Sequence, residues 1–207
     1  NCDGQSDIPR LSFSLCERLI KRAKEKADAV IVCVHFGDEF DSGRAMSVFP
    51  TSEKQEEYAR YIAGCGADII IGTHPHVLQR TEWLERSDGG RTLCVYSLGN
   101  FLSNMRYGAQ MLGGILTAEV VKGKGGVTVR NPKIIPTVCH FNGMHKGYTI
   151  YPLCEYSDEL CAVHGTGDEK NERRFSMATL KDYYESNVAP EFRCDKYIKE
   201  EDKNDKS

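Results

Sequence analysis

An α/β fold with parallel strands is what this sequence predicts, and three observations carry the prediction. Residues 29–34, Ala-Val-Ile-Val-Cys-Val, form one continuous apolar run, and Ile69-Ile70-Ile71 form another. Short runs rich in β-branched residues, set between helical patterns, read as buried strands. The segment between them is a helix by two signals. Ser52-Glu53-Lys54-Gln55 has the form of a capping box, and Tyr58, Ala59, Ile62 and Cys65 fall on one face at helical spacing. Finally, both strands run into histidine, His35 after the first and His74 and His76 after the second. Strand, helix, strand over residues 29–72 is a βαβ unit whose strands point the same way. The histidines then meet along one sheet edge, where α/β proteins place their chemistry.

The remaining elements follow in chain order. Residues 1–12 are largely polar with Gly and Pro, and read as a linker. Ser14-Leu15-Cys16-Glu17 predicts a helix start, and Cys16, Leu19, Ile20, Ala23 and Ala27 predict the buried face of that helix. The first strand is expected to be buried on both faces. It leads into His35-Phe36-Gly37-Asp38-Glu39-Phe40, then a loop over 41–51. Gly64 and Gly66 stop the second helix. Gly72 lets the chain leave the second strand sharply, and Pro75 stiffens the turn between His74 and His76.

After Gln79 the pattern changes. Residues 80–86 and 91–97 flank Ser87-Asp88-Gly89-Gly90 as a hairpin. Gly99 predicts a tight turn. Residues 112–121 and 127–138 form another strand pair, in which Pro132 and Pro136 suggest an edge or a break. Residues 148–153 make one more short strand, 157–163 and 176–184 are helices, and the chain ends in a charged tail. The expected division is a main body over 13–153, a helical extension over 154–194 and a tail over 195–207.

Composition narrows the function classes. Among 207 residues the formal net charge is −3, which argues against a general nucleic-acid binder, since a surface that tracks its phosphates needs a basic excess. No apolar run approaches the length of a bilayer span. The chain opens on Asn1 with no signal-peptide pattern, so a fragment, a processed form or a trimmed piece is expected. Nine cysteines include no Cys-x-x-Cys pair, against a zinc knuckle. Cys16, Cys33, Cys65 and Cys94 read as core, while Cys139, Cys154, Cys161 and Cys194 leave room for one disulfide. The count leaves the redox compartment open.

The chemistry lies in the histidines. Neutral imidazole is the commonest metal ligand, and two on a stiff turn can share one cluster. Gly-x-His-x-His after a buried strand favours that reading over idle surface histidines. His35, with Asp38 and Glu39 behind it, divides evenly between a second part of the site and a strand-end histidine bonded to backbone. Asn100 either aims an amide at the histidine edge or is a plain turn residue. His140, His145 and His164 have no ligand-like company and read as structural or surface residues.

Taken together, His35-Phe36-Gly37-Asp38-Glu39-Phe40, Pro50, Gln55, the run Gly66-Ala67-Asp68-Ile69-Ile70-Ile71-Gly72-Thr73-His74-Pro75-His76-Val77-Leu78-Gln79, and Tyr96-Ser97-Leu98-Gly99-Asn100-Phe101 resemble the bacterial capsule-synthesis proteins of the CapA type. These are associated with poly-γ-glutamate synthesis and belong to the metallo-dependent phosphatase superfamily. The dense match covers about residues 29–103, with a weaker echo in Ile134-Ile135-Pro136-Thr137 and Tyr148-Thr149-Ile150-Tyr151-Pro152-Leu153. The chain departs from the pattern in carrying Phe36 where the family usually has Trp, and Thr73 where it often has His. A Gly-Asp strand end and an Asn–His motif, which open the family domain, are absent.

The resemblance implies a four-layer α/β/β/α sandwich of which this chain is the C-terminal part, its N-terminal half missing and some sheet left uncovered. It implies two divalent ions, Mn, Fe or Zn by ligand type. His35 and His74 would serve one and His76 the other. Glu39 or Asp38 would orient a ligand or carry a proton, and Asn100 would contact a substrate oxygen. Two ions need about six to eight protein ligands, so this chain alone is expected to bind metal poorly and to be inactive. The implied activity is metal-dependent hydrolysis of a phosphoester or amide in capsule metabolism, on an anionic polymer or phosphoester, at a membrane-anchored cell-surface location. The implied partners are the missing half-domain and a capsule-synthesis membrane complex. The alternatives are a non-catalytic capsule-assembly scaffold and an inactive fragment.

Overall fold

The computed structural model describes residues 10–39, 47–143, 146–166, 174–194 and 196. The linker over 1–9, Phe40 and the loop through 46, His145 and the charged tail lie outside these residues.

The first helix, α1 (Phe13–Lys24), starts two residues earlier than the Ser14 box suggests. Ser12 is its N-cap, and the Ser12 hydroxyl accepts from Leu15 N. Cap position depends on which serine can adopt extended backbone, and Ser12 does so at φ −149°. The early start brings Phe13 against Tyr58 and Tyr61, ring centroids 4.6 Å from each. Cys16 and Ile20 are buried as the spacing predicts, whereas Leu19 is 48% exposed and Ala27 lies past the helix end.

The βαβ unit forms as the order of elements implies. β1 (Ile31–His35) and β2 (Ile69–Thr73) are parallel, with Ile31 opposite Ile69 and His35 opposite Thr73. Between them, α2 (Glu53–Gly64) opens on the expected capping box, with Ser52 and Gln55 bonding reciprocally. β3 (Thr81–Glu85) and β4 (Arg91–Val95) form the hairpin, and β4 also pairs in parallel with β2. The sheet order is β1-β2-β4-β3.

One strand expectation needs correcting. β1 is an edge strand, and it is buried on one face only. Val30 and Val34 pack under α1 and α2, while Ile31 is 53% exposed and Cys33 and His35 are exposed too. An apolar run shows that both faces are apolar; it does not supply a neighbour for the second face.

The second sheet is antiparallel. It comprises β5 (Leu112–Gly123), β6 (Gly126–Asn142) and β7 (Lys146–Pro152), in that spatial order. Neither proline ends β6. Pro132 sits at the register shift between Thr117 and Glu119, next to Asn131 at φ +49°. A bulge of this kind tolerates a residue without an N–H. Pro136 lies opposite Gly114, one residue before β7 joins at Thr137.

α3 (Asp158–Val163) and α4 (Met177–Asn187) follow, each capped by the serine before it. Residues of α4 enter the core shared by the two sheets: Leu180, Tyr183 and Tyr184 pack with Ile69, Leu93, Val95, Leu112 and Ile134. The Tyr184 hydroxyl donates to Ile134 O at 2.6 Å. The layers are thus α1 and α2, the mixed sheet, and the antiparallel sheet with α4. No helix of the described residues is long and apolar enough to cross a membrane. Every cysteine among the described residues is free, so Cys139, Cys154, Cys161 and Cys194 form no disulfide.

His140 and His164 are structural. His140 Nδ1 meets the Tyr156 hydroxyl at 2.6 Å inside the second sheet's core. His164 Nδ1 accepts from Thr166 N at 3.0 Å, which leaves Nε2–H to donate to Cys139 O at 3.0 Å. Both nitrogens are used in the neutral form, and a second ring proton would displace Thr166. Burial, more than any neighbour, brings the His164 pKa down to about 4 from 6.5. The unfolded chain takes up a proton near the ordinary value, and the folded chain refuses it until about 4. Stability therefore declines as pH falls through that window, by about 2 kcal/mol at pH 5. Urea unfolding at pH 7 and pH 5 checks this: His164→Gln should lose about 2 kcal/mol less than wild type over that interval. Equal losses in both proteins would refute it.

Candidate metal centre

β1 and β2 end side by side. Phe36 N donates to Thr73 O at 3.1 Å, which carries the pairing one residue past the strands. Phe36 is buried and stacks on Tyr96, centroids 6.3 Å apart and planes within 9°. It thus fills the apolar slot expected of it. At Gly37 the chain turns with φ +100°, where a Cβ would sit 2.4 Å from the Gln55 side chain. Only a glycine lets the backbone pass that close.

The turn after β2 is strained. His74 has φ +108° and His76 φ +62°, conformations that cost a non-glycine residue about 1–3 kcal/mol each. Such strain persists only where the surroundings over-determine it, and here they do. Val77 and Leu78 are buried at 1% exposure. Gln79 N donates to Ser97 O, and Leu98 N donates to Gly72 O. Two buried amides then tie the turn to α2. Gln55 Nε2 donates to Gln79 Oε1 at 2.9 Å, and Gln79 Nε2 donates to Pro50 O at 2.8 Å. Gln55 therefore acts three times, as helix cap, as support for Gly37 and as anchor for the histidine turn.

Strain and support bring the side chains together. The His35 and His74 ring centroids lie 4.5 Å apart, and those of His74 and His76 lie 6.2 Å apart. Glu39, His74 and His76 each offer a ligand atom, and these atoms all lie within 4.8 Å of one another. His74 Nδ1 is buried with no hydrogen-bond partner among the described residues. An orphaned buried acceptor is costly unless something binds it, and a cation beside a carboxylate and a second imidazole would. This donor set suits Mn, Fe or Zn better than Mg or Ca. Burial, then the nearby His74 and His76, hold His35 below its ordinary range against the pull of Glu39.

The sequence-predicted residues are distributed as follows. His74, His76 and Glu39 are brought together, each offering a possible ligand atom. His35 stands against His74 and bonds to Thr73, Nδ1 to Oγ1 at 3.1 Å, but is outside the group of three. Asp38 is exposed and also outside it. Asn100 does not present a free amide to a substrate. Its Oδ1 meets His76 Nδ1 at 2.9 Å, and its Nδ2 donates to His76 O at 3.2 Å and Gln110 O at 3.0 Å. Sequence reasoning assigned no role to Gln79, since nothing local marks a glutamine as a bridge.

A helix-covered sheet, a second sheet behind it, and histidines with a carboxylate at adjoining parallel strand ends define an α/β protein of the metallophosphatase-like class. Residues 5–105 match the family model described as bacterial capsule synthesis protein PGA_cap. Over that stretch the chain is similar to the CapA-type capsule synthesis proteins. It is 42% identical over 84 residues to the PGA biosynthesis protein CapA of Bacillus subtilis (strain 168), covering 41% of this chain and 19% of that protein. It is 39% identical over 79 residues to the capsule biosynthesis protein CapA of Bacillus anthracis, covering 38% of this chain and 16% of that one. The chain thus matches less than a fifth of the length of either relative.

Proposed function

We propose that this chain forms one wall of a two-metal hydrolase centre in a capsule biosynthesis protein, acting on a phosphoester or amide bond of an anionic substrate such as poly-γ-glutamate. The observation that carries this reading is the Glu39, His74 and His76 cluster, whose ligand atoms lie within 4.8 Å of one another around a buried, unpartnered His74 Nδ1. Paired divalent ions in such a site would bridge substrate oxygens and lower the pKa of a bound water. His74, His76 and Glu39 would hold metal. His35, beside His74, would complete the coordination. Asp38, exposed to solvent, would orient a ligand or carry a proton.

Three donors fall short of the roughly six to eight that two ions require. The other ligands are proposed to come from protein outside this chain, the further half of the domain. That half would also cover the open face of β1 at Ile31 and Cys33. A cell-surface location within a capsule-synthesis assembly fits the names of the relatives, PGA and capsule biosynthesis proteins.

The test is metal analysis and hydrolysis with both this chain and a longer protein containing it. The longer protein should hold close to two Mn, Fe or Zn ions per copy. It should also cleave bis(p-nitrophenyl) phosphate or polyglutamate, while this chain binds the same ions weakly and cleaves neither. A longer protein with no metal and no hydrolysis would refute the enzyme and leave a scaffold for capsule assembly.

A further inference from the structure

Asn100 touches the His76 ring with an oxygen, and the orientation of that amide is not free. Its nitrogen donates to His76 O and to Gln110 O, at 3.2 and 3.0 Å. Turned over, the amide would set its oxygen against both carbonyl oxygens and leave each without a donor. Oδ1 therefore faces His76 Nδ1, at 2.9 Å. An amide oxygen can only accept, so Nδ1 carries the ring hydrogen. In a neutral imidazole this leaves the lone pair on Nε2.

At His35 a different residue permits the same arrangement. Thr73 Oγ1 lies 3.1 Å from His35 Nδ1 and 3.4 Å from Val34 O. A hydroxyl has one hydrogen. Donated to the Val34 carbonyl, it leaves the Thr73 oxygen to accept from His35 Nδ1–H. His35 then also keeps its lone pair on Nε2.

We propose that Asn100 and Thr73 are positioning residues that lock His76 and His35 in the Nδ1–H tautomer, so that each ring can ligate a cation through Nε2 alone. A free histidine side chain in water favours the opposite, Nε2–H tautomer. Without these two acceptors, each ring would have to move its hydrogen before binding. His74 is the counterpart: among the described residues no side chain or backbone group bonds to its Nδ1. The purpose of the lock rests on the metal reading above; the tautomers themselves do not.

The experiment uses the whole 207-residue chain, labelled with nitrogen-15 and freed of metal. Two-bond proton–nitrogen correlation spectra, recorded above the imidazole titration range, report which nitrogen carries the hydrogen. His35 and His76 should both give the Nδ1–H pattern in the wild type, a result that needs no variant to fold. Asn100→Ala should move His76 to the Nε2–H pattern, and Thr73→Val should do the same for His35, while Thr73→Ser keeps it. Titration with Zn or Mn should then show about ten- to a hundredfold weaker binding for N100A and T73V, and near wild-type binding for T73S. A wild-type Nε2–H pattern at either ring overturns the assignment for that ring. Unchanged tautomers in the variants overturn Asn100 and Thr73 as the cause. The expected tautomers with no cation bound would overturn the metal reading and leave the positioning roles in place.

Discussion

Gly72→Ala should cost on the order of 3 kcal/mol or more, and should leave much of the chain unfolded at room temperature. The reason is steric. A Cβ at Gly72 would lie 1.9 Å from Tyr96 O, 2.6 Å from Phe36 Cε1 and 2.7 Å from Tyr96 C. Two of those three atoms are backbone of the chain that continues from β4, so no rotamer change relieves the contact. The sheet would have to open between β2 and the segment beyond Val95, where Gly72 O accepts from Leu98 N at 3.3 Å. Overpacking that displaces only side chains costs roughly 1–3 kcal/mol; forcing backbone apart sits at or above the top of that range. Against a total stability of about 5–15 kcal/mol for a domain, the loss is severe. Gly64→Ala is the control. It is the last residue of α2, and nothing lies within 4 Å of the added atom. That variant should be neutral or slightly more stable. Denaturant unfolding of the two variants decides the matter, and similar midpoints would sink the argument.

At His74 and His76, stability and binding should move in opposite directions. Removing both rings with alanine in the longer protein should abolish its tight Mn or Zn binding, a loss beyond the roughly hundredfold that outer partners contribute. Alanine keeps the backbone penalty, however, because a Cβ remains at φ +108° and φ +62°. Glycine removes it. His74→Gly should therefore be more stable than His74→Ala by about 1–3 kcal/mol, the reverse of the usual order inside regular structure. Calorimetric metal titration of the double alanine variant, and urea midpoints of His74→Ala and His74→Gly, measure the two halves. If the alanine variant is as stable as the glycine one, His74 is not strained. If the double alanine variant binds as the wild type does, the cluster does not hold the cation.

Much of the frame was legible in the residues because it follows from local periodicity. The β-branched runs marked β1 and β2, Ser52 and Gln55 marked the start of α2, and Ser-Asp-Gly-Gly marked the hairpin. Parallel strands then followed from order alone, and with them the meeting of His35, His74 and His76 at one rim. The errors arose where a residue's fate depends on what lies across from it. Ile31 and Cys33 are apolar by any scale, yet β1 is an edge strand and they stay exposed. Pro136 looked like a break in β6, but β7 joins one residue later.

The sequence by itself determined which side chains could gather and which metals their chemistry would suit, because strand direction and ligand type are written into order and composition. Only the tertiary structure decided how each is held. Glu39 comes from the loop after β1 to join a turn after β2. Gln55 and Gln79, 24 residues apart, pair in the interior, and Asn100 gives its whole amide to His76 and Gln110. Such bonds depend on distances between segments remote along the chain, and no local pattern in the amino acids encodes those distances.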